Sequence, residues 1–157
     1  MIFWEVRPLK LRLYFDTSVF SAYYDARVPD RQQQTQEFWK RLDKFEISTS
    51  EIARQELSKT SDPEQRLKLY QLLQPFIILS VTEEMRLLAQ GYLTRGLFTP
   101  VMFNDALHVA VAVLSRQDIL LSWNFKHLVN RRRRAMINEV SISKGLPTIE
   151  IIAPPEV

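Results

Sequence analysis

Five short apolar segments, at residues 11–15, 45–49, 76–81, 119–122 and 148–152, are spaced along the chain with helix-forming stretches between them. Runs of this length, rich in Ile, Leu, Val and aromatic residues, suit buried strands. Strands that alternate with helices argue for an α/β domain with a mostly parallel sheet. No repeat, low-complexity tract or linker divides the sequence, so residues 1–157 are expected to form one domain, with 1–10 as an N-terminal extension.

The intervening helices are marked by their ends. The reading places helices at 17–26 and 32–44, with a loop around Pro29 between them. Ser48 and Glu51 have the spacing of a capping box at the start of a helix that carries Ile52, Ala53, Glu56 and Leu57. Asp62, Pro63 and Gln65 form a second start signal, with Asp at the N-cap, Pro at the first helical position and Gln able to close the box. Pro75 stops that helix, and Thr82 caps the next. Residues 102–115 are apolar almost all round, the mark of a buried helix. Residues 125–144 read as the last helix, broken at Gly145-Leu146-Pro147.

Composition excludes several classes of chemistry. The chain has no cysteine, hence no disulfide framework, no thiolate nucleophile and no Cys-based zinc site. No apolar run approaches the ~18 residues of a membrane span. Glu5, Arg7, Pro8 and Lys10 interrupt any secretory signal, so a cytoplasmic location and no membrane partner are expected. The net charge is +3, yet Lys126 and Arg131 to Arg134 supply five positive charges with no acid between them, which leaves the remainder at −2. A mildly acidic body with one basic stripe suits a nucleic-acid binder. A solvated helix face would look the same.

Three acids stand out against this background. Asp16 directly follows an apolar strand and precedes a helix, which puts it at the carboxyl end of a parallel sheet, where open α/β folds bind ligands. Thr17 and Ser18 add hydroxyls able to cap the helix or touch a metal-bound water. Asp105 opens the most hydrophobic helix, and His108, three positions on, is expected on its face. Glu56 lies near the apolar side of its helix, where an unpaired carboxylate is costly. Each also has a structural reading: Asp16 and Asp105 as caps, His108 as a satisfied core histidine. Three acids on separate elements beside the core would suit a hard cation such as Mg²⁺ or Mn²⁺.

The segments Leu13-Tyr14-Phe15-Asp16-Thr17-Ser18-Val19, Glu56-Leu57, Asn104-Asp105-Ala106-Leu107-His108 and Leu121-Ser122-Trp123-Asn124-Phe125-Lys126-His127 resemble the PIN domain, and within it the VapC-type toxin nucleases of bacteria. The resemblance spans about residues 11–152. It implies a three-layer α/β/α sandwich on a five-stranded parallel sheet and Mg²⁺- or Mn²⁺-dependent RNA cleavage. The family's acids fall on Asp16, Glu56 and Asp105 as metal ligands. Its fourth acid falls on Asn124, with Ser122 at the hydroxyl position, a departure that removes one negative charge. Thr17, Ser122 and His108 would support the site. Lys126, Arg131 and Arg134 would hold RNA phosphates, while Trp123 and Phe125 would stack bases or pack in the core. The resemblance further implies an antitoxin protein as partner and is compatible with a homodimer. A housekeeping PIN nuclease, or a PIN fold that binds RNA or protein without cutting, would carry the same motifs.

Overall fold

The computed structural model describes residues 9–157. Of the expected N-terminal extension, residues 1–8 lie outside that range, and Leu9 and Lys10 are irregular and exposed. Five strands form one sheet: β1 (Arg12–Phe15), β2 (Glu46–Ser50), β3 (Ile77–Leu79), β4 (Ile119–Leu121) and β5 (Glu150–Ile152). Their order is β3-β2-β1-β4-β5 and every neighbouring pair is parallel. The chain thus builds outward from β1 to one edge, then returns to its other side with β4. The gap between the carboxyl ends of β1 and β4 is the switch point at which such sheets open a crevice.

Seven helices cover the two faces: α1 (Thr17–Tyr23), α2 (Pro29–Trp39), α3 (Glu51–Ser58), α4 (Pro63–Leu72), α5 (Glu83–Thr94), α6 (Phe103–Leu114) and α7 (Arg131–Ser143). Strand alternation sorts the core into two halves. Leu13, Phe15, Ile119 and Leu121 face a cluster rich in aromatic rings from α1, α2 and the start of β3. Tyr14, Leu120 and Ile151 face the aliphatic cluster of α5, α6 and α7. The result is the expected three-layer α/β/α sandwich. No helix among the described residues is long and apolar enough to cross a membrane.

Several expected boundaries shift for identifiable reasons. Ser48 and Thr49 remain in β2, and the N-cap of α3 is Ser50, which accepts from the Ile52 N–H. Glu51 therefore closes no box; its carboxylate accepts the Val81 N–H at 2.7 Å and ties α3 to the end of β3. Pro29 starts α2 at its first position instead of lying in a loop. At Asp62 the cap forms as expected, accepting from the Glu64 N–H. The last helix begins six residues later than expected. Asn124 turns the chain through Leu128 and Val129, whose N–H groups both donate to its carbonyl at 2.9 Å, and Asn130 caps α7 by accepting from the Arg133 N–H at 2.8 Å. Gly145 ends α7 in the left-handed region at φ 68°, where a side chain would be strained.

Phe15 anchors the aromatic half. It is fully buried and meets Phe20, Phe38, Trp39 and Phe76, with ring centroids between 4.8 and 5.8 Å away. Phe15→Ala is expected to cost about 3–5 kcal/mol by emptying that space. Denaturant unfolding should show a lower midpoint at unchanged slope. A loss below about 1 kcal/mol would mean that the neighbouring rings repack without it.

Candidate active site

Asp16 continues β1: its N–H donates to the Leu121 carbonyl at 3.1 Å, and its backbone is still extended. Alternation then turns its side chain to the same face as Tyr14, into the crevice between β1 and β4. One carboxylate oxygen accepts from the Ser18 N–H at 3.0 Å and from the Ser18 hydroxyl at 2.5 Å. The other accepts from the Ser122 hydroxyl at 2.6 Å. Asp16 is therefore the N-cap of α1, but a cap usually lies in water and this one is only 4% exposed. Burial pushes its pKa above the ordinary carboxyl value. Nearby His108 and the two serine hydroxyls pull it down, the negative charge of Asp105 adds to the rise, and burial prevails.

Glu56 projects from α3 toward α1 and α6. Its Oε1 accepts from the Thr17 hydroxyl at 2.7 Å and pairs with His108 Nε2 at 2.8 Å. Burial alone would raise its pKa, but the His108 contact and charge, with Thr17, more than reverse this, so Glu56 is the readily ionised member of the site. Behind it, His108 Nδ1 meets the Tyr14 hydroxyl at 2.6 Å, and that hydroxyl meets Ser50 Oγ at 2.7 Å. Burial raises the pKa of Tyr14 far above the ordinary phenol value, so the ring stays neutral. His108 thus bridges the Glu56 carboxylate through Nε2 and the Tyr14 hydroxyl through Nδ1, and Tyr14 passes the chain on to Ser50.

Asp105, in the first turn of α6, pairs with His127 and not with His108: the Nδ1···Oδ2 distance is 2.8 Å. His108, three residues further into α6, faces Tyr14 and α3 instead. Asn124 does not present its side chain to the acids. Its Oδ1 accepts the His127 N–H at 2.9 Å, and its own N–H donates to Ser122 Oγ at 2.9 Å. The Asn124 amide thus builds the turn that lays His127 on Asp105. The links Asp16–Ser122–Asn124–His127–Asp105 form one continuous hydrogen-bonded path. Neither the Asp105–His127 pair nor the supports Tyr14 and Ser50 stands out in the sequence. The pairing is non-local, and only the Trp-Asn-Phe-Lys-His spacing hinted that His127 returns to the site.

The basic run divides. Arg131, Arg132 and Lys126 are exposed. Arg134 donates to the Ile151 carbonyl at 3.0 Å and braces α7 on β5. Arg133 donates to the His127 carbonyl at 2.6 Å and lies over the Phe98 ring. Of the expected phosphate-binding residues, Lys126 and Arg131 are exposed, whereas Arg134 is part-buried and bonded to the backbone. Trp123 is buried with its indole N–H donated to Thr35, whereas Phe125 is half-exposed.

Among the described residues no three His, Asp or Glu side chains stand close enough to hold one ion by themselves. The donor chemistry nevertheless fits Mg²⁺ or Mn²⁺. These ions take oxygen ligands, and Mg²⁺ commonly uses one or two carboxylates plus waters and substrate phosphate oxygens. Burial, and with it the charge of Asp105, disfavours the anionic form of Asp16, which is the situation a bound cation relieves.

The PIN domain family model matches residues 13–124. The chain belongs to the PIN domain family. No curated protein matches it. Among solved structures it is similar in fold to FitAcB from Neisseria gonorrhoeae, at 14% identity and TM-score 0.59, over 92% of this chain and 99% of that one. A toxin–antitoxin complex from Klebsiella pneumoniae aligns at 18% identity and TM-score 0.56, over 73% of this chain and 88% of that one. VapBC2 from Rickettsia felis, bound to a DNA fragment from its promoter, aligns at 17% and 0.55, over 88% and 96%.

The raised pKa of Asp16 has a stability consequence in metal-free protein. A carboxyl that binds its proton more tightly when folded penalises the fold as pH rises from its ordinary value, 3.8, through its raised value. Asp16→Asn removes that penalty and keeps the volume and the acceptor for Ser18. It should raise the melting midpoint by a few degrees at pH 7 and leave it unchanged below pH 3.8. A variant less stable than the parent at pH 7 would show that the carboxylate's hydrogen bonds outweigh its burial.

Proposed function

We propose that this chain is a Mg²⁺- or Mn²⁺-dependent endoribonuclease and the toxin of a type II toxin–antitoxin pair. The observation that carries the reading is a carboxylate, Asp16, buried at the switch point of the sheet and joined to Asp105 on a different element by the hydrogen-bonded path through Ser122, Asn124 and His127. Burial makes that charge costly to the fold, although its hydrogen bonds to Ser18 and Ser122 offset part of the cost. Membership of the PIN domain family supports nuclease chemistry. Fold similarity to toxin–antitoxin complexes supports the finer reading, with an antitoxin as the partner that covers the crevice.

In this reading Asp16 and Asp105 hold the cation, and Glu56 faces it from the other wall. The ion, when bound, supplies charge stabilisation at the phosphoryl group and lowers the pKa of bound water. Thr17 and His108 pin one oxygen of Glu56, which leaves Oε2 to orient the attacking water and accept its hydrogen bond. Ser18 and Ser122 fix the direction of both Asp16 oxygens before substrate arrives, so little reorganisation is left for the reaction itself. His127 holds Asp105 through Nδ1 and keeps Nε2 for a phosphate oxygen. Exposed Lys126, Arg131 and Arg132 supply charge to the RNA backbone.

Asn124 favours a second reading, a PIN fold that binds without cutting, because one charge of the family's set is missing. Cleavage decides between them. Protein freed of antitoxin is expected to cut RNA only with Mg²⁺ or Mn²⁺, and Asp16→Asn to lower the rate about a thousandfold, the equivalent of several kcal/mol of lost charge stabilisation. Wild-type protein that binds an RNA pool but leaves it intact at every metal concentration would establish the non-cutting reading.

A further inference from the structure

Phe125 is an exposed aromatic ring with no structural duty that accounts for it. It is 50% exposed, three residues after Ser122, which bonds Asp16, and two before His127, which bonds Asp105. It therefore stands at the lip of the proposed crevice. Its footing is rigid. The Phe125 N–H donates to the Trp123 carbonyl at 3.0 Å, and the Asn124 carbonyl gathers the N–H groups of Leu128 and Val129. The ring leans edge-on against Trp123, at 6.1 Å between centroids and 66° between planes. Trp123 is itself held by its bond to Thr35 and by the Arg31 guanidinium, 5.4 Å from its ring centre.

From this geometry we infer that Phe125 is a stacking platform for an unpaired base of the RNA, seated beside the phosphate to be cut. The inference rests on the ribonuclease reading and deepens it by selecting single-stranded or looped RNA. In a duplex both faces of a base are already stacked, so a fixed ring can take only a base that has left its helix. The surroundings favour a nucleic acid over an apolar protein segment. Lys126, Arg131 and Arg132 are exposed near the ring in sequence, and no acid lies between Asn124 and Arg134. A cationic margin around one aromatic ring is how sequence-tolerant single-strand sites combine backbone attraction with stacking.

The test uses the full chain carrying Asp16→Asn, which keeps the RNA uncut, and measures its binding to a labelled single-stranded RNA, to the same sequence as a duplex, and to single strands with one abasic nucleotide at successive positions. Adding Phe125→Ala should weaken single-strand binding about 5- to 150-fold. The slope of affinity against salt should not change, because no charge is lost. Phe125→Trp should restore binding, and one abasic position should weaken the parent but not the Phe125→Ala protein. Equal affinity with and without the ring would overturn the inference and leave the ribonuclease reading standing. Absence of any RNA binding by the parent would overturn both. Loss of antitoxin binding alone, with RNA binding intact, would make the ring a protein contact and equally overturn it.

Discussion

The carboxylate of Asp16 is held by a helix it starts and by a strand it does not belong to. Its bonds to Ser18 set the first turn of α1, and its bond to Ser122 closes the gap between β1 and β4. The tie spans 106 residues of sequence at the one place where the sheet's strand order reverses. Burial makes the anion costly there, yet three hydroxyl and amide donors hold it in place. The same group is a fold determinant and a destabilised charge, and the rest of the site is arranged around that conflict.

Two carboxylate–histidine pairs flank it. In the first, part-exposed Glu56 meets a buried His108 backed by Tyr14 and Ser50; in the second, Asp105 and His127 are both part-exposed. They differ in what fixes them. His108 is held at both ring nitrogens, by buried Tyr14 and by Glu56, whereas His127 is carried by a turn that Asn124 folds. An imidazole hydrogen-bonded to each outer carboxylate fixes the direction of that group before any cation arrives. Asn124 contributes no charge to the site and folds the turn that delivers His127 to Asp105.

Much of this architecture was legible in the sequence. Strand alternation in Leu13-Tyr14-Phe15-Asp16, the apolar helix behind Asp105 and the caps at Asp62 and Thr82 are local signals, and they placed the five strands and most of the helices. What failed was non-local. Glu51 matched a capping box by spacing, but Ser50 was the better-placed oxygen and Glu51 reached Val81, 30 residues away. The spacing of Asp105 and His108 on one helix suggested a pair, while the packing of α6 against β1 sent them to different partners. At Asn124 nothing local in the sequence showed that Oδ1 would accept the His127 N–H. The arginine run looked uniform, yet Arg133 and Arg134 spend their guanidinium groups on backbone carbonyls.

The central claim is that Asp16 and Asp105, from β1 and α6, share one cation. Titration of the metal-free protein with Mn²⁺, followed by the loss of the free-ion electron paramagnetic resonance signal, tests it without reference to any substrate. One ion should bind per chain. Asp16→Asn and Asp105→Asn should each weaken binding roughly tenfold or more, and Glu56→Gln should weaken it less. Mn²⁺ bound as tightly by Asp105→Asn as by the parent would contradict the claim and detach α6 from the site.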